Sequence, residues 1–178
     1  MAQPDRKEID KMINRAWDTN QRGYPREAIE LYNKALELDP NYAKVYSWRA
    51  DAYVDSGDYE QAIKDCNKTI ELKPRYSEAY NNRGKAYFEM ENYEQAVSDF
   101  SEAIDCRKNN HIAYSNRGGA YFELKEYRKA IDDCDKAIEF QPGYAEAYYN
   151  RALAYEAIGE TTKAQADFVK AKQLGYNK

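Results

Sequence analysis

A chain of 178 residues has room for one ordinary globular domain or one short repeat array. With 43% hydrophobic and 14% aromatic residues it is too apolar for disorder, and a net charge of −4 argues against a general nucleic-acid surface. No apolar run approaches ~18 residues, so no membrane insertion is expected, and the opening Met1 to Glu8 lacks the apolar core of a secretory leader.

Taken in chain order, residues 1–8 form a short N-terminal tail, and residues 9–178 divide into five ungapped blocks of 34: 9–42, 43–76, 77–110, 111–144 and 145–178. Each block predicts two helices. In the first helix, positions 4, 8 and 11 lie on one face at a spacing of 3.6 residues per turn. Position 4 reads Met12, Tyr46, Tyr80, Tyr114, Tyr148, and position 11 reads Thr19, Tyr53, Tyr87, Tyr121, Tyr155. Position 8 is always small (Ala16, Ala50, Gly84, Gly118, Ala152), as is position 20 in the second helix (Ala28, Ala62, Ala96, Ala130, Ala164). Small residues at both places let the two axes approach while the rings fill the flanks. A turn is expected at positions 14–17, where Gly23, Gly57 and Gly159 provide a permissive backbone. Pro40, Pro74 and Pro142 at position 32 cannot continue a helix and close the block.

One such pair cannot bury its own apolar faces, so neighbouring pairs must stack. The end blocks change where stacking would stop. Lys11 and Asp18 replace the Val or Ala of inner blocks, and Gln165 and Lys172 replace Ile, Val or Leu, which leads us to expect polar caps on a complete five-block array.

The length, the aromatic and small sites and the proline position together resemble the tetratricopeptide repeat family over residues 9–178. Departures are Arg at position 7 (Arg15, Arg49, Arg83, Arg117, Arg151) where the simplest signature has Leu, and Lys108 and Tyr176 in place of proline. The resemblance implies an all-α fold, an α-α superhelix built as a right-handed solenoid of antiparallel helix pairs. It also implies a concave groove lined by the first helices, used to bind a protein or peptide partner.

Chemistry-bearing motifs are sparse. The sequence holds no phosphate loop, nucleophile elbow or metal-ligand spacing, so no enzymatic activity, cofactor or metal is expected. His111 is alone at a helix start. Cys66 and Cys134 occupy position 24, shared with Tyr32, Phe100 and Phe168, and read as packing residues. An odd set of three cysteines at core-like positions fits a reducing compartment, hence a cytoplasmic location. Arg at position 7 recurs with Asp65, Asp99, Asp133 and Asp167 at position 23. That pattern predicts a bridge within or between repeats, against the competing idea of an arginine ladder for ligands.

Positions 2, 5, 9 and 12 of each first helix form one freely varying stripe, and position 6 lies beside it. Lys44, Asp51, Lys85, Phe88, Phe122, Tyr149 and Leu153 on the stripe, with Asn82, Asn116 and Asn150 alongside, form the expected peptide-binding groove. An asparagine row can hold a peptide backbone by donating and accepting at once, or can bond between repeats. Over positions 2, 5, 6, 9, 12 and 13 the wall carries eight acids against the two bases Lys44 and Lys85, a balance of −6. The expected ligand is therefore an extended basic-apolar segment. The family's grip on acidic chaperone tails needs Lys and Asn at positions 5 and 9 of one block, a pairing this sequence never makes. A monomeric adaptor is expected; the alternative is a structural scaffold that self-associates or is a permanent subunit of an assembly.

Overall fold

The computed structural model describes residues 6–176. Every regular element among them is helical, ten helices in all. They fall into two compact units, Met1–Met90 and Glu91–Lys178. The first contains α1 (Arg6–Gln21), α2 (Pro25–Leu38), α3 (Ala43–Ser56), α4 (Tyr59–Leu72) and α5 (Ser77–Glu89). The second contains α6 (Tyr93–Cys106), α7 (His111–Glu123), α8 (Tyr127–Phe140), α9 (Ala145–Ala157) and α10 (Thr161–Gln173). The helix α1 starts at Arg6, inside the segment expected to be a tail; residues 1–5 lie outside the described residues, as do 177–178 of the last block.

Within each unit every helix packs on the next, and α3 meets α5 as α7 meets α9. The small sites make this approach feasible. Ala16, Ala28, Ala50, Ala62, Ala130 and Ala152 are all fully buried. At Gly118 a Cβ would come within 2.9 Å of the Cys134 sulfur and 3.2 Å of the Ala130 carbonyl oxygen, so α7 and α8 lie closer than a methyl group allows without adjustment. Tyr32, the largest fully buried side chain of the first unit, sits among Ile9, Ile13, Leu36 and Val45. Burying an aromatic ring of that size contributes on the order of 2–3 kcal/mol.

The link between repeats is also specified by the sequence. Tyr46, Tyr80 and Tyr148 at position 4 donate their hydroxyl protons to the carbonyl oxygens of Pro40, Pro74 and Pro142, each at 3.1 Å. Tyrosine and proline thus fix the entry of each of these first helices as a pair.

The turns between paired helices need one residue in the left-handed region. Gly23, Gly57 and Gly159 take it with φ of 82°, as their freedom from a Cβ allows. Position 15 of the third and fourth blocks is Glu91 and Lys125, and these adopt φ of 59° and 61° in the same place. A residue with a Cβ pays roughly 1–2 kcal/mol there. Lys125→Gly should therefore stabilise the protein by about 0.5–1 kcal/mol, after the extra chain entropy of glycine is subtracted. A melting temperature raised by about 2 °C would show it, and an unchanged or lower one would count against strain at this turn.

The arginine row is the main polar element of the core. Arg49, Arg117 and Arg151 each place Nε 2.7 Å from a carboxylate oxygen of Asp65, Asp133 and Asp167 in the same repeat, with a second N–H on the other oxygen at 2.7–2.8 Å. Nη1 points to the preceding repeat, to Asn33, Ser101 and Asp135 at 2.5–2.9 Å, and Arg83 reaches Asn67 in the same way. One guanidinium therefore ties three helices together. Tyrosines lie near it: Arg117 is 5.6 Å and 5.8 Å from the ring centroids of Tyr114 and Tyr121, and Arg151 lies 5.5 Å and 5.8 Å from those of Tyr148 and Tyr155. The sequence offered an Arg–Asp bridge within a repeat or between repeats; at Arg49, Arg117 and Arg151 the bridge to position 23 is within the repeat, and the contact to the preceding repeat goes to position 25 instead.

Candidate peptide-binding surface

The stripe of first-helix residues has a part in each of the two units. In the first unit it runs over α1, α3 and α5. Ser47 is fully buried on α3, and the Asn82 side chain on α5 donates to its carbonyl oxygen at 3.0 Å. Asp51 and Lys85 hold the same register place in adjacent repeats and form an ion pair of 2.9 Å, each about one-third exposed. The Lys44 ammonium stands 4.6 Å over the Trp48 ring. Asn20 on α1 donates to Asp55 at 2.9 Å. Phe88 is half-buried, and Trp17 is half-exposed, with 49% of its surface open. Both bases of this wall are thus engaged locally, while Glu89 stays exposed and without an ion pair among the described residues.

In the second unit the stripe runs over α7 and α9. Asn150 donates to the Ser115 carbonyl and hydroxyl oxygens, both at 3.3 Å, which repeats the Asn82–Ser47 arrangement. Asn116 is half-buried. Of the two readings of the asparagine row, a bond between repeats is the geometry present at Asn82 and Asn150. Phe122 is half-buried and tilts against Tyr127 of α8 at 5.6 Å between centroids. Tyr149 is flanked by Phe168 at 5.7 Å and stacks on Tyr176 at 4.5 Å. Leu153, one turn further along α9, is half-buried and Ile112 at the start of α7 is exposed. Glu123 and Glu156 are exposed, and Glu146 accepts a hydrogen bond from the Tyr144 hydroxyl at 2.8 Å. Burial and the neighbouring Glu146 carboxylate push the Tyr144 hydroxyl well above its ordinary range, so this bond keeps its proton on Tyr144.

The stripe thus offers half-exposed rings and an aliphatic side chain between carboxylates, a surface suited to apolar contacts flanked by positive charge. Tyr176 was not among the residues expected here. Its only signal in the sequence is that an aromatic ring stands where three other blocks carry proline.

Side chains that could do chemistry lie elsewhere. Cys66 and Cys134 are buried and outside any disulfide, and burial together with Asp133 raises the Cys134 thiol far beyond reactive range. His111 packs edge-on against Tyr144 at 5.0 Å, its basicity lowered by burial and by Arg107. Among the described residues no group of three or more His, Cys, Asp and Glu could hold a metal, and no helix is long and apolar enough to cross a membrane.

Comparison with known proteins bears on this surface through the fold. Models of the TPR repeat match residues 21–54 and 50–91, and models of the tetratricopeptide repeat match 77–110, 111–144 and 134–166. Among solved structures, MamA is 30% identical over 88% of this chain and 92% of its own, with a TM-score of 0.72. A thermophilic TPR protein of Thermus thermophilus is 21% identical over 94% and 91%, with a TM-score of 0.85. YrrB, described as a TPR protein with an unusual peptide-binding site, is 23% identical over 92% and 84%, with a TM-score of 0.66. The last two likenesses show the fold alone. No curated protein sequence matches significantly.

Proposed function

Because this chain belongs to the tetratricopeptide repeat family, a family of protein-interaction scaffolds, we propose that it is a non-catalytic adaptor that holds an extended basic-apolar segment of a partner protein along its first-helix stripes. The observation that carries this reading is the charge of the wall. Its eight acids face two bases, and both bases are occupied, Lys85 by Asp51 and Lys44 by the face of Trp48. Each unit keeps an acidic excess by itself: five acids against two bases on α1, α3 and α5, and three acids against none on α7 and α9. An array of aligned carboxylates raises the local concentration of a positively charged segment and speeds its encounter. Phe122, Tyr149 and Leu153 then supply apolar contacts that salt does not screen.

The test is an array of peptides with matched apolar content and graded charge, probed at low and high salt. Basic-apolar peptides should be retained, weakened but not lost in high salt. Preference for acidic peptides would overturn the proposal.

A further inference from the structure

Arg15 holds the same register place as Arg49, Arg117 and Arg151, yet its block lacks both groups that hold them. In α3, α7 and α9 the guanidinium lies 5.8 Å from the ring centroid of a tyrosine one turn later, Tyr53, Tyr121 or Tyr155. It also takes both oxygens of the aspartate at position 23. In the first block the tyrosine's place belongs to Thr19 and the aspartate's to Leu31. The hydroxyl of Thr19 turns back to the Arg15 carbonyl at 2.8 Å and fills none of the ring's volume.

What stands there instead is a cavity of about 320 Å³, lined by Arg15, Asp18, Thr19, Arg22, Tyr24 and Glu27. That volume is at the lower end of the range of about 300–1,000 Å³ in which small-ligand sites fall. Its four charged side chains make no ion pair among the described residues, although two are cations and two are anions. Its aromatic wall, Tyr24, is 58% exposed and occupies the helix-capping place that Asp58, Asn92, Glu126 and Glu160 hold in the other blocks.

We propose that this cavity binds an aromatic residue bearing a free α-carboxylate. The ligand's carboxylate takes Arg15 as Asp65 takes Arg49, with Arg22 as the second cation. Its ring lies on the guanidinium and against Tyr24, in the place of the missing tyrosine. Asp18 and Glu27 then exclude a ligand that is anionic only and favour one whose carboxylate sits beside an N–H donor. A free aromatic amino acid has that chemistry, and so has the C-terminal residue of a peptide. The site is separate from the first-helix stripe and does not rest on the function proposed for it.

The experiment follows backbone amide resonances of residues 15–27 during titration with L-phenylalanine, with an N-acetylated tripeptide ending in phenylalanine, and with the same peptide amidated at its C-terminus. Saturable shifts with the amino acid identify a free small molecule as the source; shifts with the peptide acid alone identify a protein C-terminus. Where the peptide acid binds, amidation should weaken its binding by about tenfold or more. Two variants at exposed or half-exposed positions decide the mechanism: Arg15→Gln removes the carboxylate's partner, and Thr19→Tyr fills the ring's place from within. Each should abolish saturation. No saturable shift with either free acid, or binding unchanged in Thr19→Tyr, overturns the proposal.

Discussion

Arg117→Ala should destabilise the protein by about 2–4 kcal/mol, visible as a melting temperature lowered by roughly 6–12 °C. The pair it breaks is largely buried, with 19% of the Arg117 side chain and 10% of the Asp133 side chain exposed. Removing the guanidinium leaves a carboxylate with no countercharge and deprives Ser101 of a donor in the preceding helix. Burial already holds the Asp133 carboxyl above its ordinary range, even though Arg117 pulls it down. For an acid with a raised folded value, the native state binds more protons between the unfolded and folded values. Stability from this group therefore falls as pH rises through that window and does not decay on mild acidification. A pair in this state contributes defined geometry more than net stability, so exchanging both partners should cost far less than losing one. The double variant Arg117→Met with Asp133→Leu is expected to recover most of the loss. Arg15→Ala should leave the melting temperature almost unchanged, because Leu31 stands where the aspartate would be. Equal losses at Arg15 and Arg117 would show that the bridge is not the source of the effect.

The contrast between these arginines also marks how far the sequence could be read. Repeat length, helix pairs, small sites and closing prolines were legible, because a 34-residue register repeats the same physical demands at the same places. Arginine and aspartate could be paired by their spacing, but residue type alone could not show that one planar group has donors enough for a carboxylate and for a neighbour in the previous repeat. The left-handed turn residues Glu91 and Lys125 gave no local signal. At Lys125 the packing of α7 on α8 imposes the conformation, and glycine is only the least strained way to meet it.

The first-helix stripe could be laid out from the 34-residue register, its contacts much less so. Asparagine looks the same whether it waits for a peptide or bonds to Ser47 or Ser115, since the amide serves both. The Asp51–Lys85 pair follows from a rule visible afterwards, that equal register places in adjacent repeats face one another. Tyr176 could not be placed on Tyr149 from sequence, because its register place is proline in three other blocks and gave no precedent for a ring contact.

On the wall of the second unit, reversing charge should have a larger effect on a basic segment than any single truncation. Glu123 and Glu156 lie on α7 and α9, exposed and without ion pairs among the described residues, so their replacement leaves no buried partner stranded. Glu123→Lys with Glu156→Lys changes that wall from three acids and no base to one acid and two bases. Affinity for a basic-apolar peptide should fall by about 10- to 100-fold at low salt, most of it through slower association, and the deficit should shrink as screening shortens the reach of the field. Phe122→Ala with Leu153→Ala should behave in the opposite way. Loss of apolar contact should weaken binding by about tenfold or more at every salt concentration, chiefly through faster dissociation. Association and dissociation rates measured across ionic strength separate the two effects. If the charge-reversed protein binds the basic peptide as well as its parent at low salt, the acidic wall does not select the ligand.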